Sequence, residues 1–262
     1  MKSLVLILFS FWLNCCWAET SQQWLHRGDS LFSIRAKGSN SDRVNPTNIK
    51  YAIAAYKNAY LDSSLRLEAG VKILQSLNYL GHYTEDSPKL RLKTATEAKD
   101  LGLELLKEYP EDHKLIFWWV VNLSSWAYES GPLAAIRAGA ADDIKKLSEK
   151  LMFEGGEMQG KAYQLLGRMH QLLPRIPFFL SWPDKKLAKK YLEKACELDE
   201  DDPNNWLFLA EFHKKYGTME EAMEILKKIR LLEPRPHFLA EDRRCFWKVR
   251  EFYGDLRNKG YK

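Results

Sequence analysis

The sequence contains few cysteines and none of the short motifs that mark the common enzyme classes. Only 4 of its 262 residues are cysteine. It has no H-E-x-x-H zinc motif, no C-x2-C pair, no G-x-S-x-G nucleophile elbow and no glycine-rich phosphate loop. Its 6 histidines lack partners at the spacings that metal ligands need. These absences predict a protein with no catalytic residues, no metal site and no cofactor.

The chain also lacks a marked excess of charge of one sign. It carries 40 basic and 35 acidic residues, a formal net charge of +5, and the two signs alternate along segments such as KDLGLELLKE. Interspersed charges are typical of the solvated face of an amphipathic helix, whereas nucleic-acid binding usually needs a basic patch or stripe. We therefore expect no nucleic-acid partner.

The longest apolar run lies at the N-terminus and predicts a signal peptide over residues 1–18. The segment MKSLVLILFSFWLNCCWAET has one lysine, an apolar run of about ten residues and small residues before a cleavage point after Ala18. Cleavage would release residues 19–262, which we expect to form a single helical domain exported to the bacterial periplasm or cell envelope. The alternative is a lipid anchor, because residues 13–16 resemble a lipoprotein box whose cysteine becomes lipidated.

The most informative stretch runs from Pro203 to Pro234 and resembles one tetratricopeptide repeat. That pattern of about 34 residues has W-x2-L-G-x2-Y on its first helix, followed by A, F and P. Thr218 and Glu221 also have the spacing of a capping box that starts the second helix. The matching residues are Trp206, Leu209, Ala210, His213, Ala222, Leu226, Ile229 and Pro234. One such hairpin cannot bury its apolar face, so neighbouring hairpins are expected on both sides.

A second repeat spans residues 160–200, where KAYQLLGRMHQLL repeats the same spacing. Together with other amphipathic segments, the pattern predicts an all-α fold, a tetratricopeptide-like helical-hairpin solenoid of about ten or eleven helices with a C-terminal capping helix. Its clearest repeats are residues 160–200 and 203–236. Pro132–Lys150 is interpreted as one alanine-rich helix. Gly102 replaces the aromatic residue of an earlier repeat, so a neighbouring ring is expected to fill the space it leaves.

One aromatic helix, DHKLIFWWVVNLSSWAYESG, has a face that combines a tryptophan with polar groups. Trp118, Asn122 and Ser125 lie on this face, and Glu129 continues it. A large ring beside a few orienting polar groups is typical of a ligand groove. Plain packing between helices is the alternative for Trp118.

The exposed positions of the first helix of each repeat line the concave side of such solenoids. The register of the two repeats predicts a polar, net-positive strip there, which would bind acidic peptides or carboxylates through charge-assisted hydrogen bonds. A solvated face without a partner is the alternative. The strip consists of Lys161, Gln164, Arg168, Gln171, Asn204, Glu211 and Lys214.

A loop with several aromatic residues, PRIPFFLSWP, interrupts the repeat at 160–200. Phe178, Phe179 and Trp182 together carry several hundred Å² of surface, at roughly 150–250 Å² for each ring. Soluble monomers rarely expose that much contiguous apolar area. The loop is therefore interpreted either as a plug that folds back on the solenoid or as an interface to another subunit, a partner or a membrane surface.

The order of these features resembles the periplasmic T-component family associated with TRAP-type (tripartite ATP-independent periplasmic) transporters. The resemblance covers roughly residues 45–235 and rests on FWWVVNLSSWAYESG, KAYQLLGRMHQLLP, the inserted loop and KKLAKKYLEKACELDEDDPNNWLFLAEF. It implies a non-catalytic accessory protein that binds a periplasmic substrate-binding protein, holds a small hydrophobic acid and assembles into a homo-oligomer. The alternative is a general envelope adaptor that binds peptides and has no link to a transporter.

Overall fold

The computed structural model describes residues 19–39, 43–84, 87–175 and 180–261, and these ranges contain twelve α-helices. None of these helices combines the length and apolar character needed to cross a membrane. The helices are α1 (Ser21–Ser33), α2 (Thr47–Ala59), α3 (Arg66–Tyr83), α4 (Pro88–Glu108), α5 (His113–Ser130), α6 (Pro132–Arg137), α7 (Ala140–Glu154), α8 (Gln159–Leu172), α9 (Lys185–Leu198), α10 (Pro203–Tyr216), α11 (Met219–Ile229) and α12 (Leu239–Asn258).

The helices pack as consecutive antiparallel hairpins. The pairs are α1 with α2, α3 with α4, α5 with α7, α8 with α9, and α10 with α11, and each second helix also contacts the first helix of the next pair. Each hairpin thus leaves an apolar face that its neighbour covers. The all-α, hairpin-based architecture predicted from the sequence is confirmed.

Over the described ranges the helix count is twelve instead of ten or eleven, because Pro132–Lys150 is not one helix. α6 ends at Arg137, and Gly139 adopts a left-handed conformation with φ of +66° before α7 begins at Ala140. Glycine adopts such a φ readily, whereas other residues pay a steric penalty. The alanine-rich composition suggested a continuous helix, and this glycine divides it.

Side-chain caps start several of the helices that matter for the candidate site. Asp184 and Asp202 accept hydrogen bonds from the first backbone amides of α9 and α10. At α11 the predicted capping box is present: Thr218 Oγ1 accepts from the Glu221 amide, and Glu221 Oε2 accepts from the Thr218 amide. These bonds satisfy amides that have no partner within the helix.

The space left by Gly102 is filled by a neighbouring ring, as the sequence predicted. A Cβ atom at Gly102 would lie 2.3 Å from Cδ1 of Trp119 in α5. The indole Nε1 of Trp119 donates a hydrogen bond of 3.0 Å to the Lys99 carbonyl of α4. Gly102 therefore lets α4 and α5 approach each other around this indole.

The last helix covers the C-terminal end of the array and also contacts its beginning. Val249 and Leu256 are buried against α10 and α11, which is the predicted capping role. The first turn of α12 reaches the N-terminal helices, because Ala240 is part of their apolar cluster and Glu241 pairs with Arg35 just after α1. The solenoid therefore curls back until its two ends meet.

Candidate functional site

The predicted strip lies on α8 and α10, the first helices of two successive hairpins. Most of its side chains cross-link these helices. Gln164 Nε2 donates to Asn205 Oδ1 over 2.6 Å, and Arg168 pairs with Glu211 at 2.5 Å. The Arg168 guanidinium also lies 4.4 Å from the centre of the Phe208 ring. The middle of the strip is thus a ladder of contacts between the two helices.

Gln171 does not have the exposed position that the sequence predicted, because it is only 2% exposed. Its Oε1 accepts from Arg168 at 2.8 Å, and its carbonyl accepts from the Tyr216 hydroxyl at 3.2 Å. Helical periodicity marked this position as solvent-facing, but α10 packs across it. Gln171 therefore fixes the spacing of the helices and is not available to a partner.

At the other end of the strip, Lys161 belongs to an ion network. Its Nζ lies 2.9 Å from Asp199 and 2.5 Å from Asp202. Burial opposes the charge on Lys161, but the two carboxylates hold its pKa above the ordinary lysine value. Asn204 contacts the same Asp202 carboxylate. The charge of Lys161 is thus neutralised within the protein.

Beyond the ladder, the strip opens into a groove of about 300 Å³ between α10 and α12. Leu207 and Phe252 form its apolar floor, and Lys214 lies over the Phe252 ring at 4.3 Å. Lys214 also faces Asp255 at 3.8 Å, and both side chains are 44% exposed. Charged groups of both signs surround the floor: Glu211, Lys214, Lys248, Glu251 and Asp255. This groove is the accessible part of the predicted strip.

The sequence did not predict the α12 side of this groove. The sequence predicts only a C-terminal capping helix there and gives no role to Lys248 and Glu251. They line the groove because α12 packs against α10 as well as α11. The spacing of charges along a last helix gives no signal of such a neighbour, so only the packing reveals these residues.

Trp118, Asn122 and Ser125 do not line one open groove. Asn122 is 1% exposed, and its Nδ2 donates to the carbonyls of Leu74 and Trp118. Asn122 and Ser125 border a cavity of about 20 Å³, which has room for about one water molecule. Trp118 packs on the N-terminal apolar cluster. These three residues therefore take part in helix packing beside a water-sized cavity.

In the aromatic loop, Phe178 and Phe179 lie outside the described residues, and Trp182 lies inside them. Trp182 folds back on the solenoid: its Nε1 donates to Asp142 over 3.2 Å, and its ring packs edge-on against His170 at 5.1 Å. His170 is buried, and its Nδ1 accepts a hydrogen bond from the Asp184 amide. Burial lowers the pKa of His170, which fits this acceptor role. At Trp182 the loop packs against α7 and α8.

In the described part of the chain, no group of histidine, cysteine and carboxylate side chains is arranged to hold a metal ion. Cys196 and Cys245 are free, buried thiols. Burial raises the pKa of Cys196 to about 12, so its reactive thiolate form is scarce at neutral pH.

Comparisons with known proteins agree with the geometry of the hairpins. A tetratricopeptide-repeat sequence profile matches residues 186–240, a range that contains the whole hairpin α10–α11 and nearly all of α9. A solved tetratricopeptide protein from Thermus thermophilus, TTC0263, superposes with a TM-score of 0.61 over 90% of this chain and 98% of its own, at 15% sequence identity. The chain has the tetratricopeptide solenoid fold. No curated protein sequence matches it significantly, and identity this low shows the solenoid fold alone.

Proposed function

We propose that the chain is a non-catalytic helical-repeat scaffold that binds a protein partner in the groove between α10 and α12. The observation that carries this proposal is the groove itself, an apolar floor surrounded by exposed charges of both signs. An apolar centre with a polar rim is the usual anatomy of a protein interface. The solenoid fold supports the proposal, since such folds typically present extended concave binding surfaces.

Lys214 is the group best placed to meet a partner's carboxylate. Its contact with Asp255 is long and solvent-exposed, and exposed ion pairs of this kind contribute about 0–1 kcal/mol. A partner carboxylate can therefore replace Asp255 at little cost. Lys161 and Arg168 are held by closer carboxylates within the protein, so they contribute less to recognition.

The resemblance to the T-component family supports a more specific proposal. The mature chain, residues 19–262, would act as an exported accessory protein of a TRAP-type transporter, with a periplasmic substrate-binding protein as partner. A small hydrophobic acid and homo-oligomerisation belong to the same proposal, and its alternative is the general envelope adaptor. N-terminal sequencing of the exported protein distinguishes a start at Glu19 from a lipidated cysteine, and native mass spectrometry reports oligomers and retained ligands.

Charge reversal in the groove tests the proposed binding surface. The double variant Lys214→Glu, Lys248→Glu should weaken binding of the substrate-binding protein of a TRAP transporter encoded beside this gene by at least roughly tenfold, because like charges would then face the partner's acidic groups. Isothermal titration calorimetry measures the affinity. The control Lys89→Glu, Lys93→Glu makes the same change in net charge on α4 and should leave the affinity within about twofold.

Different outcomes would contradict different parts of the proposal. If both double variants bind equally well, the α10–α12 groove is not the binding surface. If the wild-type protein fails to bind the transporter component but binds another envelope protein through this groove, the adaptor alternative replaces the transporter assignment. A gene neighbourhood without a TRAP permease and binding protein would also contradict that assignment.

A further inference from the structure

A second groove, of about 470 Å³, lies on the opposite side of α10, between the start of α9 and the end of α10. Four lysines of α9 line one wall: Lys185, Lys186, Lys189 and Lys190. Phe212 and Tyr216 of α10 line the other wall. No lysine of this groove belongs to the strip on the concave side, and no residue of it belongs to the α10–α12 groove.

The positive charge of this groove is not balanced by its own carboxylates. Glu193 pairs with Lys189 at 3.7 Å. Glu221 is engaged in the capping box of α11 and contacts His213 Nδ1 at 2.9 Å. The hydrogen bonds from Thr218 and His213 lower the pKa of Glu221 to about 2. Glu221 therefore stays ionised, and these donors occupy its carboxylate. Lys185, Lys186 and Lys190 form no ion pair with a carboxylate in the part of the chain that the structure describes.

The aromatic wall holds a fixed position. The Tyr216 hydroxyl donates to the Gln171 carbonyl over 3.2 Å, and the Phe212 ring packs against the Tyr216 ring at 5.3 Å. Lys185 Nζ lies 4.2 Å from the centre of the Tyr216 ring, and Lys215 Nζ lies 5.0 Å from it. The groove therefore combines a fixed ring with ammonium groups on flexible lysine stems, which can turn toward an incoming anion.

We propose that this groove binds an extended, acidic peptide segment of a partner protein with carboxylates at alternate positions. Lys185 and Lys189, like Lys186 and Lys190, are one turn apart, which is about 6 Å along a helix. Alternate residues of an extended chain lie about 6.6 Å apart on the same side. Two carboxylates in Asp/Glu-x-Asp/Glu therefore match successive lysines of α9. An apolar side chain between or beside them would contact Tyr216.

The shape of the site favours a peptide over a membrane surface. Tyr216 is only partly exposed and lies between two helices, so a flat bilayer cannot reach it, whereas a single extended chain can enter. The volume is also many times that of one water molecule, which occupies about 30 Å³ in the liquid. The groove can accommodate several residues of a peptide.

A labelled model peptide tests this proposal without knowledge of the natural partner. Fluorescence anisotropy measures binding of fluorescein-labelled EFELEG, which places three carboxylates on one side of an extended chain. The isomer EEFLEG has the same composition but has no two glutamates at alternate positions, and QFQLQG has no glutamate. The affinity is expected to fall in that order and to weaken as salt rises from about 50 to about 300 mM, because the contacts are exposed charges.

Variants locate the site on α9 and α10. Lys186→Glu with Lys190→Glu should weaken EFELEG binding by at least roughly tenfold, and the matched reversal Lys89→Glu, Lys93→Glu on α4 should not. Tyr216→Ala should weaken it, whereas Tyr216→Phe, which keeps the ring, should bind nearly as well as the wild type. The circular dichroism of each variant checks that the helices are retained.

Three results would overturn the proposal. They are equal affinity for EFELEG and EEFLEG, equal loss in the α4 control, or binding only to vesicles of phosphatidylcholine with about one third phosphatidylglycerol. The last would indicate a membrane surface instead of a peptide. The variant Lys214→Glu, Lys248→Glu should retain EFELEG binding, so failure of the α10–α12 groove and failure of this groove are distinguishable.

Discussion

Gly102 is a residue whose replacement by alanine should destabilise the protein although alanine favours helices. In a helix interior the change normally stabilises by about 1 kcal/mol. Here the added Cβ would lie 2.3 Å from Cδ1 of Trp119, and overpacking of this kind costs about 1–3 kcal/mol. We therefore expect Gly102→Ala to lower the free energy of unfolding by roughly 1 kcal/mol. Urea denaturation measures this change.

Gly254 provides a matched control within α12. No atom outside its own helix turn lies within 4 Å of the Cβ that alanine would add there, so Gly254→Ala should be neutral or stabilising. In a Trp119→Leu background, the penalty at Gly102 should shrink because the clashing ring is gone. Equal effects of the two glycine substitutions in the wild-type protein would show that helix propensity, not the indole, decides stability at Gly102.

Single residues also show how far the sequence alone can predict this structure. The departure of Gly102 from the repeat pattern predicted a ring in its place, but the pattern did not identify Trp119 as that ring. Thr218 and Glu221 predicted the capping box because both partners are close in sequence. Gln171 was placed on the surface because periodicity describes one helix at a time. The contacts that bury Gln171 come from another hairpin.

Among the elements, the start of α12 is joined to α10 and α8 by a buried ion network. Arg235 lies just before the last helix, and its Nε and Nη2 contact the two carboxylate oxygens of Asp242 at 3.0 and 2.7 Å. Nη2 also lies 3.1 Å from Asp202, which in turn pairs with Lys161 of α8. Asp242 has no exposed surface. Arg235 therefore balances two carboxylates that water cannot solvate.

Arg235→Met should lower the free energy of unfolding by about 3–5 kcal/mol, because it leaves the buried carboxylate of Asp242 without its cation. Urea unfolding monitored by circular dichroism measures the loss. The control is Lys259→Met, which removes an ion pair with Asp255 at 3.1 Å. Both partners are exposed there, so its effect should stay below about 1 kcal/mol. A similar loss in the two variants would show that burial of Asp242 does not determine the effect.

Elements were predicted better than the contacts between them. The hairpins 160–200 and 203–236 follow from local spacing, and α6 and α7 were merged only because one left-handed glycine was not recognised. The grooves on the two sides of α10 depend on which helices meet, and amphipathic patterns do not specify this. The lysine pairs at 185–186 and 189–190 were visible in the sequence. Their position opposite Tyr216 depends on how α9 packs against α10, which the sequence pattern does not specify.

For the whole molecule, the contact between the two ends of the solenoid is the feature least visible in the sequence. Arg35 is 6% exposed and pairs with Glu241 of α12 at 3.0 Å. Its guanidinium also lies 4.3 Å from the Phe32 ring and 4.8 Å from the Tyr79 ring. Arg35 and Glu241 are 206 residues apart, so no periodic pattern links them. This contact joins the N-terminal helices to the first turn of α12, the helix that forms one wall of the α10–α12 groove.

Arg35→Ala should therefore loosen α12 at its first turns while the central hairpins stay intact. Hydrogen–deuterium exchange should rise by at least about tenfold in segments 34–39 and 236–244, since each factor of ten corresponds to about 1.4 kcal/mol of local opening free energy. Exchange within 203–229 should change little.

Arg27→Ala is the matched control. Arg27 also pairs with a glutamate, at 2.9 Å, and lies over a tryptophan ring, but it does so on the exposed side of α1. If exchange at 236–244 is the same in both variants, the Arg35 contact does not hold α12. If Arg35→Ala alone loosens it, the same variant should also weaken partner binding in the α10–α12 groove and leave the Tyr216 groove on the far side of α10 unaffected.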